Sequence, residues 1–403
     1  MKTQHTFKIS GIGCALVDYL YQPVAFDGPI FSSYKSAEKG DGGLEPGILV
    51  FKDEFEKFCQ EDYFKVRTAL THDRPPVNVN IGGPGIVALI HASQMLEDTS
   101  AEVRFYGAKG LDKGAEFIEN GIAKTPLKLG NYKVTPHFTP FTDVLSDPDY
   151  DEGNGERIFI NNIGAAWDFY PQDLDEDFFK SDVVVFGATA LVPRIHENIG
   201  DLLQKAKHEG ALTVVTTVYD FLNEKKDADN PWPLGKSVES YRYVDVLVVD
   251  KVEALRMSGC ETVEEAFDFF KKAGVGVVIV THGAKLTYYY AQKKGFLPAE
   301  GAVPVSARVR EQLTAHPETA GDTTGCGDNF AGGVIASIAR QMMEKPGQDI
   351  DIEDAVAYGT ASGGFACFYH GGTWYESRQG EKKEQIDSFY QSYLEQLKKT
   401  DLK

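Results

Sequence analysis

The chain has 403 residues, of which 42% are hydrophobic, a size and composition that allow two or three domains or one large α/β domain with an insertion. Its 41 Lys and Arg residues against 60 Asp and Glu residues give a net charge of −19, which would repel a phosphate backbone, so nucleic acid is not an expected partner. The sequence has no apolar run of about 18 residues and no apolar signal-peptide core at its N-terminus, and therefore predicts a soluble, cytoplasmic protein without a membrane partner.

The N-terminal third predicts elements of mixed character. Residues 7–22 predict a strand that runs into a glycine turn, and residues 49–64 predict an aromatic amphipathic helix. Residues 82–96 predict a glycine turn that enters a helix. Alternating polarity predicts three more strands, at 102–110, 132–141 and 156–169. Because alternation is typical of an antiparallel sheet with one solvated face, we interpret this third as strands of a main sheet plus a smaller β insertion.

The middle of the chain alternates strands and helices. Nearly continuous β-branched runs predict strands buried on both faces at 182–188, 212–218, 244–250 and 275–281. Between them, residues 195–210 and 262–274 have apolar residues at helical spacing, and the second helix begins with a Thr N-cap and ends at a glycine. This alternation predicts βαβ units and a parallel sheet. The C-terminal third predicts helices at 328–344, 352–369 and 382–399.

The cysteine pattern indicates thiols rather than disulfides. The five cysteines are Cys14, Cys59, Cys260, Cys326 and Cys367. Their odd number and wide spacing, without a C-x-x-C pair, are typical of reduced cysteines in a cytosolic protein. The nine histidines show no zinc-ligand spacing either.

The most distinctive motif lies at residues 320–330 and reads AGDTTGCGDNF. Gly325 and Gly327 let the backbone turn tightly and approach a ligand without interference from a Cβ atom. A helix pattern follows directly, so the N–H groups of residues 325–328 would point at one spot near the positive end of the helix dipole. Such a spot binds anions, and for a phosphate its donors would stabilise the charge that develops during transfer.

Asp328 lies at the start of that helix and is a candidate general base. A carboxylate within reach of an acceptor hydroxyl can take its proton while the oxygen attacks phosphorus. The alternative interpretation is that Asp328 is only an N-cap and that the glycines only form a turn.

Residues 322–328, DTTGCGD, resemble D-T-x-G-A-G-D, the C-terminal signature of the ribokinase-like (phosphofructokinase B, PfkB) carbohydrate kinases. Four more segments are similar to landmarks of that family in the same order: GIGCALVD (11–18), GGPG (82–85), VDVLVVDKVEA (244–254) and IVTHGAK (279–285). The resemblance implies a ribokinase-like three-layer α/β/α fold with a mainly parallel central sheet and a small β-sheet lid. It also implies one kinase domain over residues 1–403, with lid segments inserted at approximately 18–78 and 130–166.

The resemblance implies that ATP and an alcohol react to give ADP and a phosphate ester. It makes Asp328 the base and places Gly325, Cys326 and Gly327 in the anion hole. The other implied residues fall into three groups: acceptor binding by Asp18, Gly82 and Gly83; nucleotide binding by Thr281, Gly283, Thr323 and Gly325; and cation binding, with Glu253 and Asp250 holding Mg²⁺ through water and Asp322 and Thr324 in the loop for a monovalent cation such as K⁺.

The chain also departs from the family pattern. Cys326 replaces the signature alanine, either as a small apolar residue or as a redox-sensitive thiol, since a thiol at a helix N-terminus can have a lowered pKa. Asp250 replaces the Asn of N-x-x-E, and Leu286 stands where a second glycine is common. Ile86 and Val87 lie where the family has a sugar-binding Asn, so the substrate pocket is expected to differ more than the phosphate site.

Two asparagines are candidates for binding hydroxyl groups, because amides both donate and accept hydrogen bonds. Asn161 and Asn162 end a lid-like strand, and the alternative is a simple turn at a strand end. Asn78 and Asn80 precede the glycine pair but match no role in the family pattern.

Three functions agree with these observations. The first is an ATP- and magnesium-dependent kinase of a small sugar. The alternatives are an adenosine-like nucleoside kinase and a non-catalytic sugar or nucleotide sensor of the same fold. Lid-mediated dimers occur in the family, and the aromatic helix within residues 23–78 could form such a homodimer.

Overall fold

The computed structural model describes residues 6–38, 40–153, 155–227, 229–321 and 323–400. Within these ranges the strands are β1 (Lys8–Ile12), β2 (Leu16–Tyr21), β3 (Leu49–Phe51), β4 (Asn78–Gly82), β5 (Glu102–Lys109), β6 (Lys128–Val134), β7 (Phe141–Asp147), β8 (Glu156–Asn162), β9 (Val183–Gly187), β10 (Leu212–Thr216), β11 (Val246–Asp250), β12 (Val277–Thr281), β13 (Leu286–Ala291) and β14 (Ala299–Pro304).

The α-helices are α1 (Pro29–Ser32), α2 (Lys52–Cys59), α3 (Tyr63–Thr71), α4 (Pro84–Met95), α5 (Lys113–Ile122), α6 (Tyr150–Gly153), α7 (Glu176–Phe179), α8 (Pro193–His196), α9 (Ile199–His208), α10 (Phe221–Lys226), α11 (Lys251–Ser258), α12 (Val263–Ala273), α13 (Ala307–Ala315), α14 (Cys326–Glu344), α15 (Ile352–Phe365) and α16 (Glu381–Thr400). Short 3-10 helices lie at Gly164–Asp168, Pro171–Asp173, Thr189–Leu191, Val238–Tyr243, Pro317–Thr319 and Ala366–Phe368.

The larger sheet joins nine strands of the described chain in the order β14-β13-β12-β11-β10-β9-β1-β5-β6. Neighbours from β12 to β6 pair in parallel, whereas β13 and β14 are antiparallel additions at one edge. The four predicted apolar runs form β9 to β12, and almost all of their side chains are buried because helices cover both faces. The prediction of parallel strands in βαβ units is confirmed.

Two hydrophobic cores flank this sheet. Along β9, Val183 and Val185 belong to the core beneath α4, α14, α15 and α16, whereas Val184 and Phe186 belong to the core beneath α9, α11 and α12. Successive strand residues point to opposite faces, so an apolar strand can serve both cores. The sheet and its two helical layers form the three-layer α/β/α architecture that the sequence predicts.

Local sequence signals set the ends of α12 where they were expected, whereas the helix predicted at 195–210 is divided into α8 and α9. Thr262 caps α12 in a capping box with Glu265, and Gly274 ends the helix in the left-handed conformation at φ 92°. The three predicted C-terminal helices are α14, α15 and α16, with α14 beginning two residues earlier than expected. Among the helices in the described ranges, none combines the length and apolar composition needed to cross a membrane.

The smaller sheet has five strands of the described chain in the order β3-β8-β7-β2-β4. Residues 7–22 contain the predicted strand and glycine turn, β1 followed by Gly13, and also a second strand that was not predicted: β1 lies in the large sheet and β2 in the small one. The chain turns between them where Gly13 lies against Gly85, so tightly that a Cβ on Gly13 would be 2.8 Å from the Gly85 Cα. The small sheet is the predicted lid, whereas the stated lid boundaries and the single-domain division stay predictions.

The strand predicted at 102–110 is confirmed but its expected antiparallel pairing is not, and the strand predicted at 132–141 is divided. Residues 102–110 form β5, which pairs in parallel with β1 inside the large sheet. Residues 132–141 contain the end of β6 and the first residue of β7, because Pro136 and Pro140 interrupt the strand pattern between them. The third segment contains a complete lid strand, β8, which pairs antiparallel with β7 as expected.

The aromatic segment at residues 49–64 covers one face of the small sheet. It forms β3, α2 and the start of α3 rather than the single predicted helix. Phe55 and Tyr63 are fully buried there, with the Tyr63 ring stacked 6.4 Å from the Phe141 ring of β7. We expected aromatic side chains of this segment to form a homodimer interface, but Phe55 and Tyr63 pack within this chain instead. The homodimer stays a prediction.

Candidate active site

The distinctive glycine loop leads directly into α14. This helix begins at Cys326 with Gly325 as its N-cap, and no side-chain oxygen caps it. Gly325 has a φ of 77°, and a Cβ atom there would lie 2.4 Å from the Gly372 Cα. Gly325 is therefore required by both conformation and space. Since Gly325 holds the N-cap position, the alternative in which Asp328 serves only as the N-cap is wrong.

The start of α14 has the features of an anion site. The N–H groups of Cys326, Gly327 and Asp328 lie in the first turn, where a helix supplies no carbonyl partners of its own. The Cys326 N–H makes a long contact of 3.3 Å with the Thr323 carbonyl. No atom lies within 4 Å of where a Cβ on Gly327 would be, so the first turn borders open space. A phosphate group could approach the backbone there.

The Asp328 carboxyl is partly exposed in this first turn, and burial raises its pKa to about 7. Burial, with added repulsion from Asp250 and Asp328, also raises the pKa of Glu253 to about 7. The two carboxyl groups are thus close enough for one charge to affect the other. A group with a pKa near the operating pH is well suited to act as a general base.

Glu253 and Asp250 lie where β11 passes into α11. Asp250 is the last residue of β11 and caps α11: its Oδ1 accepts the Val252 N–H at 2.8 Å. Glu253 completes this capping box and accepts a hydrogen bond from the Thr217 hydroxyl. Aspartate therefore fits the position where the family pattern has asparagine, because either residue can cap a helix.

The donors near β11 are compatible with a water-mediated magnesium ion. The described ranges contain no group of three His, Cys, Asp or Glu side chains that could hold a metal directly. Mg²⁺ commonly keeps several waters and binds to one or two carboxylates together with substrate phosphates. Asp250 and Glu253 supply such oxygens, and the like charges that raise the Glu253 pKa would be relieved by a cation.

The expected nucleotide-binding residues lie on neighbouring loops. Thr281 ends β12 directly opposite Asp250 in the sheet register. Gly283 follows in an exposed turn at φ 53°, with no atom within 4 Å of where its Cβ would be. Thr323 is exposed and Thr324 is partly exposed, immediately before the start of α14. Asp322, expected beside a monovalent cation, lies outside the described residues.

Asp18 belongs to a polar row that crosses the small sheet. In β2 it pairs with Asn80 of β4 on one side and with Thr142 of β7 on the other. Thr142 in turn pairs with Asn161 of β8. Directly paired residues point to the same face of a sheet, so these four side chains form one polar row. The polar row combines a carboxylate, a hydroxyl and two amides, a set suited to binding several hydroxyl groups.

The predicted glycine pair lies next to the polar row. A Cβ on Gly82 would lie 2.0 Å from Oδ2 of Asp18, so only glycine leaves room for this carboxylate. Gly83 has a φ of 97°, and a Cβ there would lie 2.3 Å from the Cys14 carbonyl oxygen. The pair thus allows β4 to lie close against β2 and lets the chain turn into α4.

The two predicted lid asparagines lie on opposite faces. Asn162 pairs with Phe141, which pairs with Val17 on the face that α2 and α3 cover. Asn161 lies on the face of the polar row and donates to the Thr142 hydroxyl at 2.9 Å. Among the described residues its buried Oδ1 has no hydrogen-bond partner. A ligand hydroxyl could satisfy this oxygen, so Asn161 is a better candidate than Asn162.

Sequence reasoning missed two members of the polar row, Asn80 and Thr142. The sequence gives Asn80 no role in the family pattern, and no motif includes Thr142. The register that aligns them with Asp18 joins segments more than sixty and more than a hundred residues apart. The only local signal was the Asn-Val-Asn sequence before the glycine pair.

Residues 369–372 connect the polar row to the glycine loop. The Asn80 amide donates to the His370 carbonyl at 3.4 Å, and a Cβ on Gly371 would lie 2.3 Å from Asn80 Nδ2. Gly372, the next residue, packs against Gly325. The acceptor side and the phosphate side of the candidate site therefore meet at this segment.

Cys326 lies against a second cysteine. Its Sγ is 3.5 Å from the Cys367 Sγ, and their hydrogen bond lowers the pKa of Cys367 to about 7. None of the five cysteines forms a disulfide. The expectation of reduced thiols agrees with this geometry, and redox sensitivity at Cys326 stays a prediction.

Comparison with known proteins identifies the class of this fold and site. The model of the pfkB family of carbohydrate kinases matches residues 63–376. This match covers most of the chain and includes the glycine loop, Glu253 and Asp328. The chain belongs to the pfkB carbohydrate kinase family.

Solved structures of low sequence identity share the fold. Ribokinase from Thermotoga maritima is 17% identical over 96% of this chain and 99% of its own, with a TM-score of 0.59. A provisionally named ribokinase II from E. coli, solved with ATP and Mg²⁺, is 19% identical over 96% of this chain and 99% of its own, with a TM-score of 0.62. Adenosine kinase from Schistosoma mansoni, solved with tubercidin, is 15% identical over 94% of this chain and 98% of its own, with a TM-score of 0.64.

Proposed function

We propose that the protein is an ATP-dependent kinase that phosphorylates a hydroxyl group of a small sugar. The observation that carries this proposal is the Asp328 carboxyl. It lies in the first turn of α14 without capping the helix, and burial raises its pKa to about 7. The carboxyl is therefore ready to accept a proton beside backbone donors suited to a phosphate. The family's kinase activity supports the reaction type.

The proposed reaction uses groups already in place. The acceptor hydroxyl attacks the γ-phosphorus of ATP while the Asp328 carboxylate takes the hydroxyl proton. The bond from the γ-phosphorus to the bridging β–γ oxygen breaks, its electron pair stays on the leaving ADP, and Asp328 later returns the proton to solvent. The N–H groups at the start of α14 stabilise the negative charge on the transferred phosphoryl oxygens, and each such donor is commonly worth about 3–4 kcal/mol.

The polar row supports a polyhydroxylated acceptor. Asp18 can accept hydrogen bonds from two hydroxyl groups, and Asn80 and Asn161 can each donate and accept. The Asn161 Oδ1, which has no partner among the described residues, supports an incoming donor in particular. A sugar satisfies this set with several adjacent hydroxyl groups.

Two cations belong to the proposal. Asp250 and Glu253 would hold the waters of Mg²⁺, which when bound neutralises charge on the phosphates. Thr324 and Asp322 would lie beside K⁺. We expect chelation of Mg²⁺ to abolish turnover and replacement of K⁺ by tetramethylammonium to lower it. Full turnover after either treatment would remove that cation from the proposal.

The first test is ADP release from ATP and Mg²⁺ against a panel of sugars, sugar acids and nucleosides. We expect one sugar class to stimulate release and Asp328→Asn to lower the stimulated rate by about 10²-fold or more. Asp349→Asn, which removes an exposed carboxylate before α15, is the matched control and should keep the rate. Stimulation by nucleosides alone would establish the nucleoside kinase instead. ATP binding without turnover on any acceptor would favour the sensor.

A further inference from the structure

Lys382, in the first turn of α16, has a buried ammonium group. Its side chain is 1% exposed, and burial lowers its pKa to about 7. The Nζ atom donates to the side-chain oxygens of Gln94 and Asn329, each at 3.0 Å, and lies 5.7 Å from the Tyr369 ring centre. Lysines are rarely buried without a specific set of acceptors. Here the acceptors include the residue that directly follows Asp328.

Asn329 uses every hydrogen-bonding position of its amide. Its Oδ1 accepts from Lys382 and from the Tyr369 hydroxyl, both at 3.0 Å. Its Nδ2 donates to the Gly325 carbonyl at 2.8 Å and the Gly372 carbonyl at 2.9 Å. An amide turned the other way would place its NH₂ group against the ammonium and its oxygen against the two carbonyls. Lys382 thus acts together with the two carbonyls to set which way the Asn329 amide points.

That orientation fixes the peptide bond at the start of the anion site. The Gly325 carbonyl oxygen accepts both the Asn329 N–H at 2.9 Å and the Asn329 Nδ2 at 2.8 Å. Because a peptide unit is planar, holding this carbonyl also sets the direction of the Cys326 N–H. The same amide holds Gly372, which packs against Gly325.

We infer that Lys382 is a positioning residue for the proposed reaction: through Asn329 it holds the Gly325–Cys326 peptide in the geometry that binds the transferred phosphate. The catalytic part of this inference rests on the proposed kinase function, whereas the structural part does not. Lys382 lies beyond residue 376, where the family match ends, so the family match does not account for it.

A purely structural role makes a different prediction. Lys382 also joins α16 to α4 through Gln94, so it could simply hold the last helix in place. In that case its loss would lower stability and leave the activity of the folded protein unchanged. Methionine keeps the length and most of the volume of the lysine side chain, while the Gln94 and Asn329 oxygens lose one donor at a cost of about 1–3 kcal/mol, a fraction of the stability of a typical domain. Lys382→Met is therefore expected to remain folded, which makes activity and stability separable.

The first arm of the test is hydrogen–deuterium exchange, which needs no substrate. In Lys382→Met we expect amides of residues 323–330 to exchange about ten-fold faster than in the unmodified protein. Lys383→Met is the matched control, since Lys383 lies one residue along α16 and pairs with Asp98 and Asp387 near the surface. Unchanged exchange in 323–330, or an equal increase in both variants, would overturn the inference even if no acceptor were known.

The second arm uses the acceptor found in the ADP-release panel. We expect Lys382→Met to lower kcat by about 10–100-fold with the KM for ATP and acceptor within two-fold, because misplacing a reacting group by about 1 Å can cost that much. In an Asn329→Leu background the same substitution should change kcat less than two-fold, since Lys382 acts through Asn329. Full kcat in Lys382→Met, or equal losses in both backgrounds, would overturn it.

The two arms separate this inference from the proposed function. If no acceptor stimulates the unmodified protein, the kinase proposal fails while the exchange arm still decides whether Lys382 holds the loop. If the unmodified protein is active and Lys382→Met is equally active with unchanged exchange, the positioning inference fails and the kinase proposal stands.

Discussion

The phosphate side and the acceptor side of the candidate site are built in different ways. On the phosphate side, the key groups belong to short contiguous segments, such as Gly325 to Asp328 and Asp250 to Glu253. On the acceptor side, Asp18, Asn80, Thr142 and Asn161 come from four strands that meet only through sheet register. The anion site needs only one contiguous segment to keep its sequence. The acceptor surface depends on four strands, so a change in any one of them can alter it.

The largest effect is expected at Gly325, on the phosphate side. In Gly325→Ala the added methyl group would lie 2.4 Å from the Gly372 Cα at a φ of 77°. We expect a loss of about 10²-fold in kcat/KM and about 2 kcal/mol in the free energy of unfolding, measured by steady-state kinetics and urea denaturation. Gly347→Ala has a similar φ of 78° but open space around the Cβ, so it should cost stability alone. Equal activity in the two variants would contradict a shaped anion loop.

The next effect tests the acceptor side through Asp18. Asp18→Asn removes the charge that would hold acceptor hydroxyl groups, and we expect kcat/KM for the acceptor to fall about 10–100-fold, as for loss of a hydrogen bond to a charged group. The KM for ATP should stay within two-fold because Asp18 lies in the small sheet. A selective rise in the KM for ATP would show that the two sides are not separate.

The pH dependence of the reaction tests the Asp328 carboxyl. Since burial raises its pKa to about 7, the base form is lost as the pH falls, and kcat/KM should drop about ten-fold per unit well below pH 7. The residual kcat/KM of Asp328→Asn should not fall in this way. Any pH dependence that comes from protonation of ATP itself will be the same for both proteins. If kcat/KM falls equally at low pH in both proteins, the fall belongs to another titrating group.

The same pKa predicts a stability effect with a definite sign. A carboxyl whose pKa rises on folding binds its proton more tightly in the folded state, so stability falls as the pH rises from about 4 to 7. Asp328→Asn should therefore be more stable than the unmodified protein at pH 8, by about 2 kcal/mol, and equal to it near pH 4. Urea denaturation at both pH values measures this, and a less stable variant at pH 8 would contradict the raised pKa.

The smallest effect distinguishes the two faces of the small sheet. Asn161 belongs to the polar row and Asn162 lies on the face that α2 and α3 cover. We expect Asn161→Ala to raise the KM for the acceptor about three- to ten-fold, as for loss of a neutral hydrogen bond. Asn162→Ala should change it less than two-fold. Equal effects would mean that the polar row does not contact the acceptor.

The contrast between the two sides also explains what the sequence could predict. The parallel strands were predictable because burial on both faces demands continuous apolar runs such as Val183–Gly187. The anion loop was predictable because its glycines and Asp328 are adjacent in the chain. Asn80 and Thr142 were not, because strand register is a long-range property. Lys382 gave no signal either, since a lysine at the start of an amphipathic helix is usually exposed.

In the proposed reaction Asp328 accepts the proton of the acceptor hydroxyl while the phosphoryl group passes to that hydroxyl from ATP. The most direct test is ³¹P NMR of the complete reaction mixture with the acceptor class found in the panel. We expect one phosphate ester for each ADP with the unmodified protein and almost none with Asp328→Asn over the same time. Inorganic phosphate in place of the ester, or an ester formed equally fast by Asp328→Asn, would contradict it.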